Sequence, residues 1–302
     1  MGQSGSKSSS TEPVGQAFRF ADHPWLSLAT FLFLSVLVLG LIGTVVSQVL
    51  GVPGGSRIAG FINATASHLV MLFVVVPFGL GLPQGRRSFG AYLDDIGLSK
   101  TEPLGRLLLL ALSCYVILVL CQAAGSTVYR LTEGLPVTAA FLREVFDVSG
   151  DLPPLSMSPL YSLPSAFEEI AFRGVVLTLF LTRYSKVRSI LISAGGFAVL
   201  HLLNLLGGRE LTWVVGQLVW SFCMGVFYGY LFVRTGSLIP SMLVHYLSNV
   251  FIGSFAGYMQ ESAPVGVQVL YGVTFSLGII PVTLMSLWLR FFARRWPFVH
   301  EL

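Results

Sequence analysis

Leu160–Thr182, LYSLPSAFEEIAFRGVVLTLFLT, is long and apolar enough to cross a bilayer, yet it holds Glu168, Glu169 and Arg173 within six residues. A span needs about 20 mainly apolar residues. An ionisable side chain at its centre costs at least about 2.5–3.5 kcal/mol on insertion scales. Three such groups so close together read as a functional site in a membrane helix.

The rest of the chain has the same apolar character. Of its 302 residues 54% are hydrophobic and only 11% charged, and the mean hydropathy of +0.78 excludes an ordinary soluble domain. Apolar segments near 25–49, 65–82, 104–124, 160–182, 188–206, 211–233, 237–257 and 266–292 predict an all-α membrane protein, a polytopic bundle of about eight transmembrane helices. The longest gaps, 83–103 and 125–159, leave no room for a second soluble domain, so one membrane domain is expected over 25–293. A polar, Ser- and Gly-rich stretch at 1–24 reads as a disordered tail, and 294–302 as a short C-terminal one. The opening MGQSGS fits the myristoylation pattern, which is short enough to occur by chance. The first apolar segment reads as a retained span rather than a cleaved signal peptide.

Charge placement predicts the orientation. With both termini cytoplasmic, 13 of the 18 Lys and Arg fall on inside segments and only Arg57, Arg130, Arg143 and Arg209 outside, with Arg173 in the membrane. The net charge of +4 thus follows from membrane topology, and no nucleic-acid partner is expected. The stretch Ala139–Val148, mixing apolar and charged positions, reads as a short surface helix, a connector rather than a lid. Cys114, Cys121 and Cys223 fall inside spans without C-x-x-C spacing, which suggests neither a disulfide framework nor a thiolate metal site.

Helical geometry sorts the acidic motif. Glu169 and Arg173, at i and i+4, share a face and form an ion pair that makes their burial tolerable. Glu168 points about 100° away. A carboxylate without a full partner in an apolar setting suits a general base or acid. Two further spans supply companions: Phe197-Ala-Val-Leu-His201 sets an aromatic ring one turn before an imidazole, and His245-Tyr-Leu-Ser-Asn249 sets an imidazole and a carboxamide on one face. Each alone is as well explained by interhelical hydrogen bonding. Together, all at interior depth, they can meet. Glu168 with His201 could then deprotonate a water, and His245 with Asn249 hold an oxyanion, as peptide-bond cleavage requires. Glu169 and Arg173 would support them. Asn204, three residues after His201, reads as a helix–helix hydrogen bonder, with direct participation left open.

These motifs resemble those of the CPBP family, the CAAX prenyl protease 2 and bacteriocin-processing (ABI) proteins. EExxxR, FxxxH and HxxxN stand here in order as Glu168–Arg173, Phe197–His201 and His245–Asn249, over roughly 160–255. The resemblance implies an intramembrane endopeptidase of eight spans, with Glu168 and His201 activating water and His245 and Asn249 stabilising the oxyanion. Its substrate would be a protein or peptide, prenylated or not, met within membrane lipid. Other members are linked to bacteriocin immunity, peptide maturation and secretion. Members were long described as metalloproteases, and Glu168, His201 and His245 could form a two-His, one-Glu zinc site. H-E-x-x-H is missing, so a cofactor-free, glutamate-type mechanism is the expectation and zinc the alternative. A multi-pass integral membrane location follows, the plasma membrane in a prokaryotic host.

Two other classes compete. A proton-coupled transporter also uses buried carboxylates and histidines, but the chain shows no internal repeat and its polar residues form one compact set. Gly225 and Gly229 read as close helix packing. A non-catalytic immunity or scaffold protein would keep the fold without using the chemistry.

Overall fold

The computed structural model describes residues 18–53, 55–86, 88–146, 158–251, 264–276 and 278–295. The sequence features at 1–17, including the myristoylation pattern, and at Val148, 252–257 and 296–302 lie outside the described residues. The described residues are mainly helical, with no strand among them.

The elements are α1 (Pro24–Val49), α2 (Arg57–Leu80), α3 (Phe89–Asp95), α4 (Leu104–Thr132), α5 (Ala139–Phe146), α6 (158–181), α7 (Lys186–Leu200), α8 (Leu203–Leu206), α9 (Leu211–Thr235), α10 (Ile239–Phe251), α11 (265–276) and α12 (Ile279–Arg295). Among the described residues six stretches are long and apolar enough to cross a membrane: α1, α2, α4, Lys186–Leu206, α9 and Val265–Phe292. The two expected spans not among them are α6, which carries the three motif charges, and α10, described over only 13 residues. Both carry residues of the expected site, Glu168, Glu169 and Arg173 on α6 and His245 and Asn249 on α10. The protein is therefore an all-α polytopic membrane protein, with six spans identified by length and apolarity rather than the eight counted from sequence.

Residues 18–23, assigned to the polar tail from sequence, are in place. Phe20–Asp22 forms one tight turn, Ser27 Oγ donates to the Phe20 carbonyl, and Asp22 pairs with Arg183 at 3.4 Å. Pro24 then starts α1 at a position where its missing N–H is no loss. On α1 the outward positions Phe33, Leu37 and Leu41 are exposed, a face suited to lipid. Phe31, by contrast, is buried against Phe172 of α6.

Interior packing sets the site. α10 lies against both α6 and α4, α2 packs on α1 and α6, and the most extensive pairing is α7 with α9. Gly225 and Gly229 of α9 make that pairing close. A Cβ on Gly225 would sit 3.0 Å from Ala194, and one on Gly229 3.1 Å from Ile190. α5 docks on the end of α4 through Phe141 and Val145, which are buried with Tyr129. Gly97, between α3 and α4, has φ +75°, and its carbonyl accepts from Leu238 N at 3.3 Å, holding the start of α10.

Candidate active site

The α6 backbone changes winding at the motif. It is α-helical to Glu169 and then opens into wider π-type turns over Ile170–Leu177. Such widened turns re-aim side chains and recur at functional sites. Ser193 Oγ of α7 donates to the Phe172 carbonyl at 2.7 Å in this stretch. On one side of the junction Glu169 and Arg173 have no exposed side-chain surface, whereas Glu168 keeps 31%. The adjacent glutamates thus face different surroundings.

Arg173 Nη1 donates to Glu169 Oε1 at 3.2 Å, the pair expected from their spacing. The pair is not self-contained. The same oxygen accepts from His245 Nδ1 of α10 at 2.8 Å, a contact that one helix's periodicity cannot encode. The Arg173 guanidinium lies 4.7 Å from the Phe197 ring centre and 5.3 Å from that of Tyr228, so aromatic faces compensate the charge where hydrogen bonds are missing. Tyr228 in turn stacks on the His245 ring at 5.2 Å.

Glu168, His201, His245 and Asn249 line one cavity of about 590 Å³. His245 Nε2 is 3.8 Å from Glu168 Oε2, while its Nδ1 is held by Glu169. His201 lines the cavity, and its Nδ1 donates to the Phe197 carbonyl at 3.0 Å, which leaves Nε2 as the ring's acceptor in the neutral form. Phe197 meets His201 edge-on at 4.9 Å and His245 at 5.9 Å. It separates the histidines and carries Arg173 over its face, which gives the aromatic of the FxxxH pattern a physical reason. Asn204 Nδ2 donates to Gln217 Oε1 of α9 at 2.7 Å.

Sequence reasoning missed three residues of this cavity. Tyr228 was hidden inside the glycine pattern of α9; its polar ring in mid-span was the available signal. Gln217 was an isolated amide. His68 of α2, whose Nδ1 donates to the Ala64 carbonyl at 2.7 Å and whose ring stacks on Phe167, lies outside the three motifs. Among the described residues no three His, Cys, Asp or Glu side chains are grouped to hold a metal ion.

Residues 152–251 match the family model described as type II CAAX prenyl endopeptidase Rce1-like. This match agrees with the CPBP family that the motifs resemble. The matched region runs to the end of α10 and so contains Glu168, Glu169, Arg173, Phe197, His201, His245 and Asn249. The match supports a CAAX protease-like intramembrane endopeptidase, acting on a peptide or protein in a membrane setting. Comparison with curated proteins gives no match.

Proposed function

We propose that the protein hydrolyses a peptide bond within the membrane by a glutamate-type mechanism. The observation that carries this reading is the meeting of Glu168, His201, His245 and Asn249, all within the matched region, on one cavity. Glu168, assisted by His201 Nε2, takes a proton from water, and the resulting hydroxide attacks the carbonyl carbon. His245 Nε2 and the Asn249 amide donate to the oxyanion, in a setting where fixed donors are most effective. Collapse breaks the C–N bond, and the proton held by Glu168 passes to the leaving amine.

Glu169 has a defined part in this scheme. As a carboxylate it only accepts, so His245 Nδ1 must carry a proton. Nε2 then donates only when the ring is an imidazolium, a form flanked by Glu168 and Glu169. Arg173 holds Glu169 in place for that purpose.

Among the described residues no three His, Cys, Asp or Glu side chains are grouped as a zinc site needs, so no step is routed through a metal. The Glu169 bond to His245 Nδ1 would orient that ring equally for a metal or for a substrate and does not choose between them. The apolar wall of the cavity, including Phe31, Val36, Leu39 and Met71, supports a substrate with a lipid-like group such as a prenylated C-terminus. The concentration of polar groups around one cavity supports hydrolysis over transport.

The test uses purified full-length protein and prenylated and unprenylated peptides ending in a CAAX-type sequence. Glu168→Gln is expected to remove cleavage, by a factor of about 10³ or more, with thermal stability kept. A chelator is expected to leave the rate unchanged. Full activity in Glu168→Gln, or strict dependence on added zinc, overturns the mechanism.

A further inference from the structure

The hydrogen-bonded amides of Asn204 and Gln217 have no part in the proposed chemistry, yet they line the same cavity and are only half-buried. One hydrogen bond between them ties α8 to α9. Each primary amide has more capacity than that. After Asn204 Nδ2 donates to Gln217 Oε1, Asn204 Oδ1 still accepts and Gln217 Nε2 still offers two N–H groups. One free acceptor beside a free donor is the complement of a peptide group.

The backbone fixes where this pair stands. α7 ends at Leu200, and His201 and Leu202 turn the chain through hydrogen bonds from their N–H groups to the carbonyls of Ala198 and Val199. Asn204 is then pinned on α8, its carbonyl accepting from Arg209 N at 3.1 Å. On α9 the cavity-lining stripe is Gln217, Ser221, Met224 and Tyr228, spaced four, three and four residues apart. Gln217 therefore lies about 16 Å along the helix from Tyr228, at about 1.5 Å per residue. Tyr228 is stacked on His245. An extended peptide covers that distance with about five residues at about 3.3 Å each.

We infer that Asn204 and Gln217 are positioning residues that grip the backbone of a bound peptide, at the far end of the α9 stripe from Tyr228. This rests on the peptidase reading above. The pair sets which length of extended chain is held, without touching the reacting atoms.

Steady-state kinetics of the purified full chain test it. The probe is a fluorescent, farnesylated 12-residue peptide with a CAAX-type end, compared with a peptide of the last five residues alone. For Asn204→Ala, Gln217→Ala and the double variant, KM for the long peptide is expected to rise about five- to tenfold, the size of one or two lost hydrogen bonds. The value of kcat should stay within about twofold, and KM for the short peptide should not move. A fall in thermal stability with an unchanged KM would show a helix tie and overturn the inference, as would a loss confined to kcat. Should the wild type cleave neither peptide, the peptidase reading fails on its own. The separate measurement is then fluorescence anisotropy of the long peptide on Glu168→Gln protein. Weaker binding on adding the double substitution supports the grip, and unchanged binding overturns it.

Discussion

Arg173 has a fully buried side chain, and its surroundings explain how it is tolerated. One nitrogen bonds Glu169 and the guanidinium faces the rings of Phe197 and Tyr228. Arg173→Ala removes the buried cation from Glu169 and leaves it the His245 Nδ1 contact, for which we expect a loss of about 3–5 kcal/mol. Thermal unfolding in detergent checks this; an unshifted transition would show that the pair does not hold the helix. At Tyr228 the ring matters more than the hydroxyl, because the ring stacks on His245. Tyr228→Phe is expected to keep most of kcat and Tyr228→Leu to lower it about tenfold, the equivalent of about 1.4 kcal/mol in the barrier. Equal effects of the two changes would refute the stacking role. At this scale the sequence was informative about Glu169 and Arg173, since a four-residue spacing is local. It was silent on His245 Nδ1 choosing Glu169, a contact between residues 76 apart in the chain.

Among the elements, the pairing of α7 with α9 depends on small residues. A Cβ on Gly225 would meet Ala194 at 3.0 Å and Arg173 Nη2 at 3.1 Å, whereas one on Gly195 of α7 meets nothing within 4 Å. Gly225→Val should therefore cost about 1–3 kcal/mol by overpacking and disturb the buried Arg173. Gly195→Ala, at an open helical position, should be neutral or stabilising by up to about 1 kcal/mol. Unfolding midpoints of the two variants make the comparison, and matching losses would mean that helix propensity, not contact distance, governs α7. The sequence marked 160–182 as a span in spite of its charges. What it did not carry is how α6 keeps them, with Glu169 and Arg173 met by neighbouring side chains rather than by water. The widened turns after Glu169 were likewise illegible, as composition carries no mark of winding.

The whole molecule turns apolar side chains outward as well as inward. Phe33 on α1 is 67% exposed, while Leu72 on α2 is fully buried. If lipid is the surrounding solvent, Phe33→Ala exchanges one lipid contact for another and should change stability by less than about 1 kcal/mol in a bilayer-like medium. Leu72→Ala should leave a cavity costing about 2–5 kcal/mol. Refolding equilibria in mixed micelles would separate them, and a large loss for Phe33→Ala would place α1 against protein instead. Composition and segment length determined by themselves that this chain is a helical membrane protein. The 3.6-residue repeat determined that Glu169 faces Arg173 and that Glu168 does not. Tertiary structure alone decided that His245 and Tyr228 close around that pair, and that Gln217 shares a cavity with Glu168. The physical reason is range: helical periodicity orders residues within about two turns, whereas the choice of neighbouring helix follows from how small residues, aromatic rings and buried charges pack across the bundle.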